Sequence, residues 1–132
     1  MYPEDFDDLI IETRADFDSL DQNTKIAVCV HQLEAQVNNG GFDQFFFNSS
    51  GAYTLDTISA LETIGAHSTA KLLCDAVAIA YPEGFPGDSS LHQANLIDEE
   101  SVSDALDLLD ASFYAYKDDL AMLVNRHLGN DT

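Results

Sequence analysis

The chain has 132 residues, 45% of them hydrophobic, a content that excludes a disordered acidic tail. It carries 24 Asp and Glu against 5 Lys and Arg, a formal net charge of −19, and Asp outnumbers Glu 17 to 7. Such a surface repels nucleic acid, nucleotides and anionic membranes, and it draws basic partners.

In chain order, residues 4–20 place Phe6, Leu9, Ile10, Phe17 and Leu20 on one face of a first helix. Asp5, Asp8, Glu12 and Asp16, spaced 3, 4 and 4, form an acidic stripe flanking that face. The opening MYPEDFDDLI is acidic and lacks the basic and apolar regions of a secretory signal. No apolar run reaches the ~18 residues of a membrane span. A cytoplasmic protein is therefore expected, with Cys29 and Cys74 as free thiols. Asp21 or Asn23 can cap the next helix, where Ile26, Val30, Leu33 and Val37 are spaced 4, 3 and 4. Asn39-Gly40-Gly41 ends it, and a short aromatic helix follows over about 42–48.

Leu55, Ile58 and Leu61 mark a further helix, stopped by Gly65. Leu72, Leu73, Ala76, Val77 and Ala80 form the apolar face of the next, and residues 82–90 read as a loop. Ser101-Val102-Ser103-Asp104 has the form of a capping box, and Val102, Leu106 and Leu109 carry the helix onward. Glu100, Asp104 and Asp107, with Asp110 at the border, make a second acidic stripe. Leu120, Leu123, Val124 and Leu128 give the last apolar face, with Arg126 and His127 in its final turn and Gly129 as terminator. No segment alternates as a strand would. The expected fold is all-α: a single compact domain, residues 1–132, of about six to eight helices with a central helix-turn-helix hub.

The charge has a scale. Duplex DNA carries about one charge per ~1.7 Å of axis, so nineteen charges match roughly 32 Å of duplex. A domain of this length has a radius of gyration of about 14 Å and is of similar size. Charge alone is equally the mark of solubility or salt adaptation, and by itself it favours those ordinary readings. Charges four residues apart on a helix lie ~6 Å apart along its axis, against ~3.4 Å per phosphate on one DNA strand. One stripe is thus a sparse copy of a strand.

Conventional catalytic and metal patterns are missing. Asp16-Phe17-Asp18-Ser19-Leu20-Asp21 fails the calcium-loop pattern, because Leu20 occupies a ligand slot. His31 and Glu34 stand one turn apart but are not repeated, and His31 is expected to be exposed. His127 is read as a packed or fraying terminal residue. Neither phosphate-loop pattern nor G-x-S-x-G occurs. No catalytic residue, metal ligand or cofactor is assigned.

The most individual segment is Q-V-N-N-G-G-F-D-Q-F-F-F-N-S-S-G over residues 36–51. Asn39 or Gly40 can take the left-handed helix terminus, Gly41 then lets Phe42 enter the core at once, and Gly40 or Gly41 is expected at positive φ. Gln36, Asn38, Gln44 and Asn48 carry amides able to knit that turn together. An amide-lined pocket is the functional alternative to this structural hub.

Together with residues 60–66 this segment resembles the core motif of the bacterial DNA mimic protein nineteen family. The similarity runs from about Leu33 to Ala66, and Phe113-Tyr114-Ala115-Tyr116 through Leu128 is similar in style. The resemblance implies an all-helical fold and a DNA-mimic role, in which an acidic face occupies the DNA-binding surface of a transcription factor. The motif residues Gln36, Asn38, Asn39, Gly40, Gly41, Phe42, Gln44, Phe46, Asn48 and Gly51 hold few charges and are read as structural. Partner binding is assigned to Asp5, Asp8, Glu12 and Asp16 and to Glu100, Asp104, Asp107 and Asp110. The expected partner is a basic DNA-binding protein of helix-turn-helix type, without direct nucleic-acid or membrane binding, and a homodimer is left open. The alternatives are a binding or immunity-type module for a partner that does not bind DNA, and an enzyme using the amide-rich turn.

Overall fold

A computed structural model describes residues 20–87, 91–97 and 99–129. The expected first helix and its acidic stripe, Asp5, Asp8, Glu12 and Asp16, lie outside these residues. Every regular element among the described residues is helical.

Helix α1 spans Gln22–Phe47. Asp21 caps it, its carboxylate accepting the Thr24 N–H at 2.8 Å. The 4, 3, 4 spacing buries Ile26, Val30, Leu33 and Val37 on one side. As expected, the first helical run stops at Gly40-Gly41 and a short aromatic run follows from Phe42, so α1 is two helical halves meeting at a kink. Gly40 is non-helical, with φ −157° and ψ 17°, and Gly41 has φ +79°, after which the helix resumes. That re-aims the apolar side, so that Phe42, Phe45 and Phe46 enter the core with no exposed surface. Their rings pack edge-on or offset, Phe42 against Phe113 at 5.9 Å and Phe46 against Tyr81 at 5.4 Å between centroids. Burying each such ring contributes roughly 1.5–3 kcal/mol.

A 3-10 turn, Ser49–Tyr53, leads into α2, Thr54–Thr63. A Cβ on Gly51 would lie 2.3 Å from the Phe46 carbonyl oxygen, so only glycine fits that crossing. Helix α2 ends at Gly65, φ +85°, where the Ala66 N–H reaches the Leu61 carbonyl and the Gly65 N–H reaches that of Glu62. These two bonds satisfy carbonyls that the helix end would otherwise strand.

Helix α3, His67–Ala80, buries a side of small residues, Ala70, Ala76 and Ala80, around Leu73, and packs against α2 and α5. Leu72 and Val77, expected on that face, are half-buried at its edge. One turn, α4 (His92–Asn95), precedes α5, Glu100–Tyr114. The expected capping box at Ser101 does not form. Helix α5 starts before it, with Glu99 at the N-cap and the Val102 and Ser103 N–H groups bonded to the Glu99 carbonyl.

The last helix, α6, is Leu120–His127, capped by Asp119 and terminated at Gly129, φ +81°. His127 Nε2 lies 3.0 Å from Asn23 Oδ1 and ties this end to the start of α1. Asp118 accepts both the N–H and the hydroxyl of Thr69, at 2.9 and 3.0 Å, in the first turn of α3. The core therefore lies around α1, with α2, α5 and α6 against it.

Candidate protein-interaction surface

The break in α1 creates one local problem and two helices solve it. Phe42 opens the second half of α1, where a backbone N–H lacks an acceptor in its own helix. Asp110 of α5 supplies one, Oδ1 standing 2.9 Å from the Phe42 nitrogen. The carboxylate presses so closely on the turn that a Cβ on Gly41 would lie 2.3 Å from Asp110 Oδ2. Burial pushes the Asp110 carboxyl above its ordinary value; the Phe42 N–H opposes this, while Asp107 and Asp43 add repulsion.

Uncharged amides hold the other side of the break. Gln36 Oε1 accepts Gln44 Nε2 at 2.8 Å and Asn48 Nδ2 at 2.7 Å, so one oxygen before the break clamps two side chains after it. Asn38 donates to the Tyr116 hydroxyl at 2.9 Å, and that hydroxyl donates to Glu34 at 2.7 Å. Tyr116 sits at φ +48°, a strained value for a side-chain-bearing residue. The hydroxyl bonds and the Phe113 ring, 5.6 Å away, hold it there. Burial above all pushes this phenol up to about 12. Asn39 is exposed. Within the motif, Gln36, Gln44 and Asn48 tie the two halves of α1 together, and Asn38 ties the first half to Tyr116.

The second stripe divides in two. Glu100, Asp104 and Asp107 are exposed on the outer side of α5 and make no hydrogen bond or ion pair among the described residues. Asp110, expected at the border of that stripe, is half-buried and committed to the turn. Leu108, 74% exposed, stands among the outer carboxylates. A second tie joins this helix to the motif, since Ser103 donates to Asp43 at 2.8 Å. Sequence reasoning missed Asp110 as a cap, Ser103 as a tether and Tyr116 as a brace, because each acts on a residue at least 60 positions away.

Between the second half of α1 and the segment entering α5 lies a groove of about 730 Å³. Its lining includes Asp43, Gln44, Phe47 and Asn48 from α1 and Leu96 and Glu99 from across the gap. Asn38, expected beside any such pocket, faces Tyr116 instead.

Other reactive groups are muted. Cys29 is buried, which pushes its thiol up to about 12, and such a thiol is a poor nucleophile. Cys74 is exposed, with its pKa raised by partial burial and nearby carboxylates. His31, expected to be exposed, is half-buried. Among the described residues no three His, Cys, Asp or Glu side chains gather as they would to hold a metal ion. No helix among them is long and apolar enough to cross a membrane.

The family model described as DMP19-like protein matches residues 18–129. No curated protein and no solved structure matches the chain.

Proposed function

Because the chain belongs to the DMP19-like family, we propose that it acts as a DNA mimic: an acidic protein-binding module, residues 1–132, that occupies the DNA-binding surface of a basic transcription factor of helix-turn-helix type. The reading assigns it no catalytic role and no direct contact with nucleic acid. One observation carries it. Glu100, Asp104 and Asp107 project side by side from α5 without a cation or donor to satisfy them among the described residues. On a helix they are ~6 and ~4.5 Å apart along the axis, close enough to meet a row of arginines or lysines shaped for phosphates. A partner that brings cations gains Coulombic attraction without first breaking existing ion pairs. The stripe at Asp5, Asp8, Glu12 and Asp16 is proposed to supply a second row of the same kind.

The test is competition. The tagged chain is used to capture proteins from its native cell at low salt, and the retained protein is challenged with duplex DNA. Release by duplex, and weakening of the complex as salt rises, are the expected results. A partner held equally well in saturating duplex would refute mimicry and leave a binding module for a protein that does not bind DNA.

A further inference from the structure

The groove beside the break in α1 has a one-sided chemistry. Gln44 and Asn48, one helical turn apart, both aim their NH₂ groups at Gln36 Oε1. In a planar amide the oxygen lies on the other side of the group. Their two carbonyl oxygens therefore turn away from Gln36, and they carry no hydrogen bond among the described residues. Gly40 leaves the room this needs, since a Cβ there would lie 2.1 Å from Gln44 Oε1. Asp43 and Glu99 add carboxylates to the lining; among the described residues no Lys or Arg stands in it, and the Gln93 NH₂ group donates to the Phe47 backbone carbonyl. One Asp43 oxygen, Oδ2, is held by Ser103. Phe47, 61% exposed, offers an aromatic face at the same place.

Oriented acceptors, negative charge and an exposed ring together describe the complement of a guanidinium. Arginine presents a planar fork of donors and stacks on aromatic rings, whereas an ammonium is a point charge that does neither as well. We propose that this groove receives an arginine side chain of the bound partner protein. The identity of that partner rests on the DNA-mimic reading, which the groove deepens. DNA-binding proteins read guanine with an arginine forked onto two acceptors, O6 and N7. The outer carboxylates of α5 stand in for phosphates, and the paired oxygens of Gln44 and Asn48 stand in for a base edge. Glu99 in the groove directly precedes Glu100, the first carboxylate of the outer stripe, and both are exposed.

The test needs no partner. The isotope-labelled full-length protein is titrated with the peptide acetyl-Gly-Arg-Gly-amide, and then with the same peptide carrying citrulline or lysine. The side-chain amide signals of Gln44 and Asn48 are followed by NMR. A saturable shift with arginine is expected, with citrulline weaker by about tenfold or more because it lacks the charge. Lysine should be several-fold weaker. Phe47→Ala and Glu99→Gln, both at accessible positions, should each weaken arginine binding about three- to tenfold while signals outside the groove stay in place.

Equal binding of citrulline, or shifts centred on Glu100, Asp104 and Asp107 with lysine equal to arginine, would overturn the proposal. So would the absence of a saturable shift. Such a failure alongside release by duplex would leave mimicry resting on the carboxylates alone. Arginine binding without release by duplex would keep the groove and reject mimicry.

Discussion

Asp110 accepts the backbone N–H of Phe42 at 2.9 Å, across 68 positions of sequence. That bond makes α5 part of the turn in α1, and it joins the acidic helix to the aromatic core.

The turn should be intolerant of side chains, for two separable reasons. Gly41→Val meets both a positive φ and the Asp110 carboxylate, and should cost about 2 kcal/mol or more. Gly65 has a similar φ, +85°, but open space around it. Gly65→Ala should therefore cost only about 1 kcal/mol, the backbone penalty alone. Chemical denaturation of the two variants measures the difference. Equal losses would mean that Asp110 does not crowd the turn.

Asp110 gives a pH signature with a defined sign. Burial raises its pKa above the ordinary 3.8, so the folded chain holds the proton more tightly than the unfolded one. Its contribution to stability is therefore most favourable at acid pH and declines as pH rises from about 3.8 through the raised value. Asp110→Asn keeps an oxygen for the Phe42 N–H and removes the charge. Its stability relative to wild type should rise across that interval and level off above it. Asp110→Ala strands a part-buried N–H and should cost about 1–3 kcal/mol at neutral pH. Parallel pH–stability curves for wild type and Asp110→Asn would contradict this account.

Salt should stabilise the protein. A net charge of −19 opposes compaction, and monovalent ions screen it over ~8–10 Å at ordinary ionic strength. The Lys71–Asp75 ion pair and the His67–Glu62 contact lie on the surface, where screening removes little. The melting temperature should rise from low to moderate sodium chloride. A fall would point to carboxylates held mainly in attractive pairs.

Placement of charge, beyond its amount, should govern partner binding. Neutralising Glu100, Asp104 and Asp107 to Gln or Asn keeps α5 polar and removes three charges. The same is done for Asp5, Asp8, Glu12 and Asp16 as a separate set. Asp56, Glu62 and Asp75, on α2 and α3, serve as the control. At least one test set should weaken the captured complex about tenfold beyond the control when scaled per charge, each lost close charge pair being worth roughly 1 kcal/mol or more. Equal losses in all sets would reduce the effect to net charge.

The helices were legible in the sequence wherever a local rule wrote them. The 4, 3, 4 spacing from Ile26 to Val37, the Asp21 cap and the terminators Gly65 and Gly129 are all properties of neighbouring residues. Gly41 was legible as a positive-φ turn between two helical runs, but the group that supports it was not. The helix that restarts after the glycine pair begins with a freed N–H, and which distant group satisfies it is not written locally. Here it is Asp110. The capping-box pattern at Ser101 failed for the same reason, since Ser103 is drawn to Asp43 and the helix begins before it. Of the candidate surface, Glu100, Asp104 and Asp107 could be read by helical spacing. The groove could not, because Glu99 and Leu96 meet Gln44 and Asn48 only once the chain has folded.

Helix α5 has two sides with different obligations. Its inner side carries Leu106, Phe113 and the Asp110 tie, whereas Glu100, Asp104, Asp107 and Leu108 touch little of the protein's own interior. On the DNA-mimic reading, substitutions on the outer side can therefore change which protein is bound, in evolution or by redesign, while the aromatic wedge of Phe42, Phe45 and Phe46 stays fixed. Chains sharing the Phe42–Phe46 wedge could on this architecture bind quite different proteins, and the presence of that wedge in another sequence is a statement about its scaffold before it is one about its target.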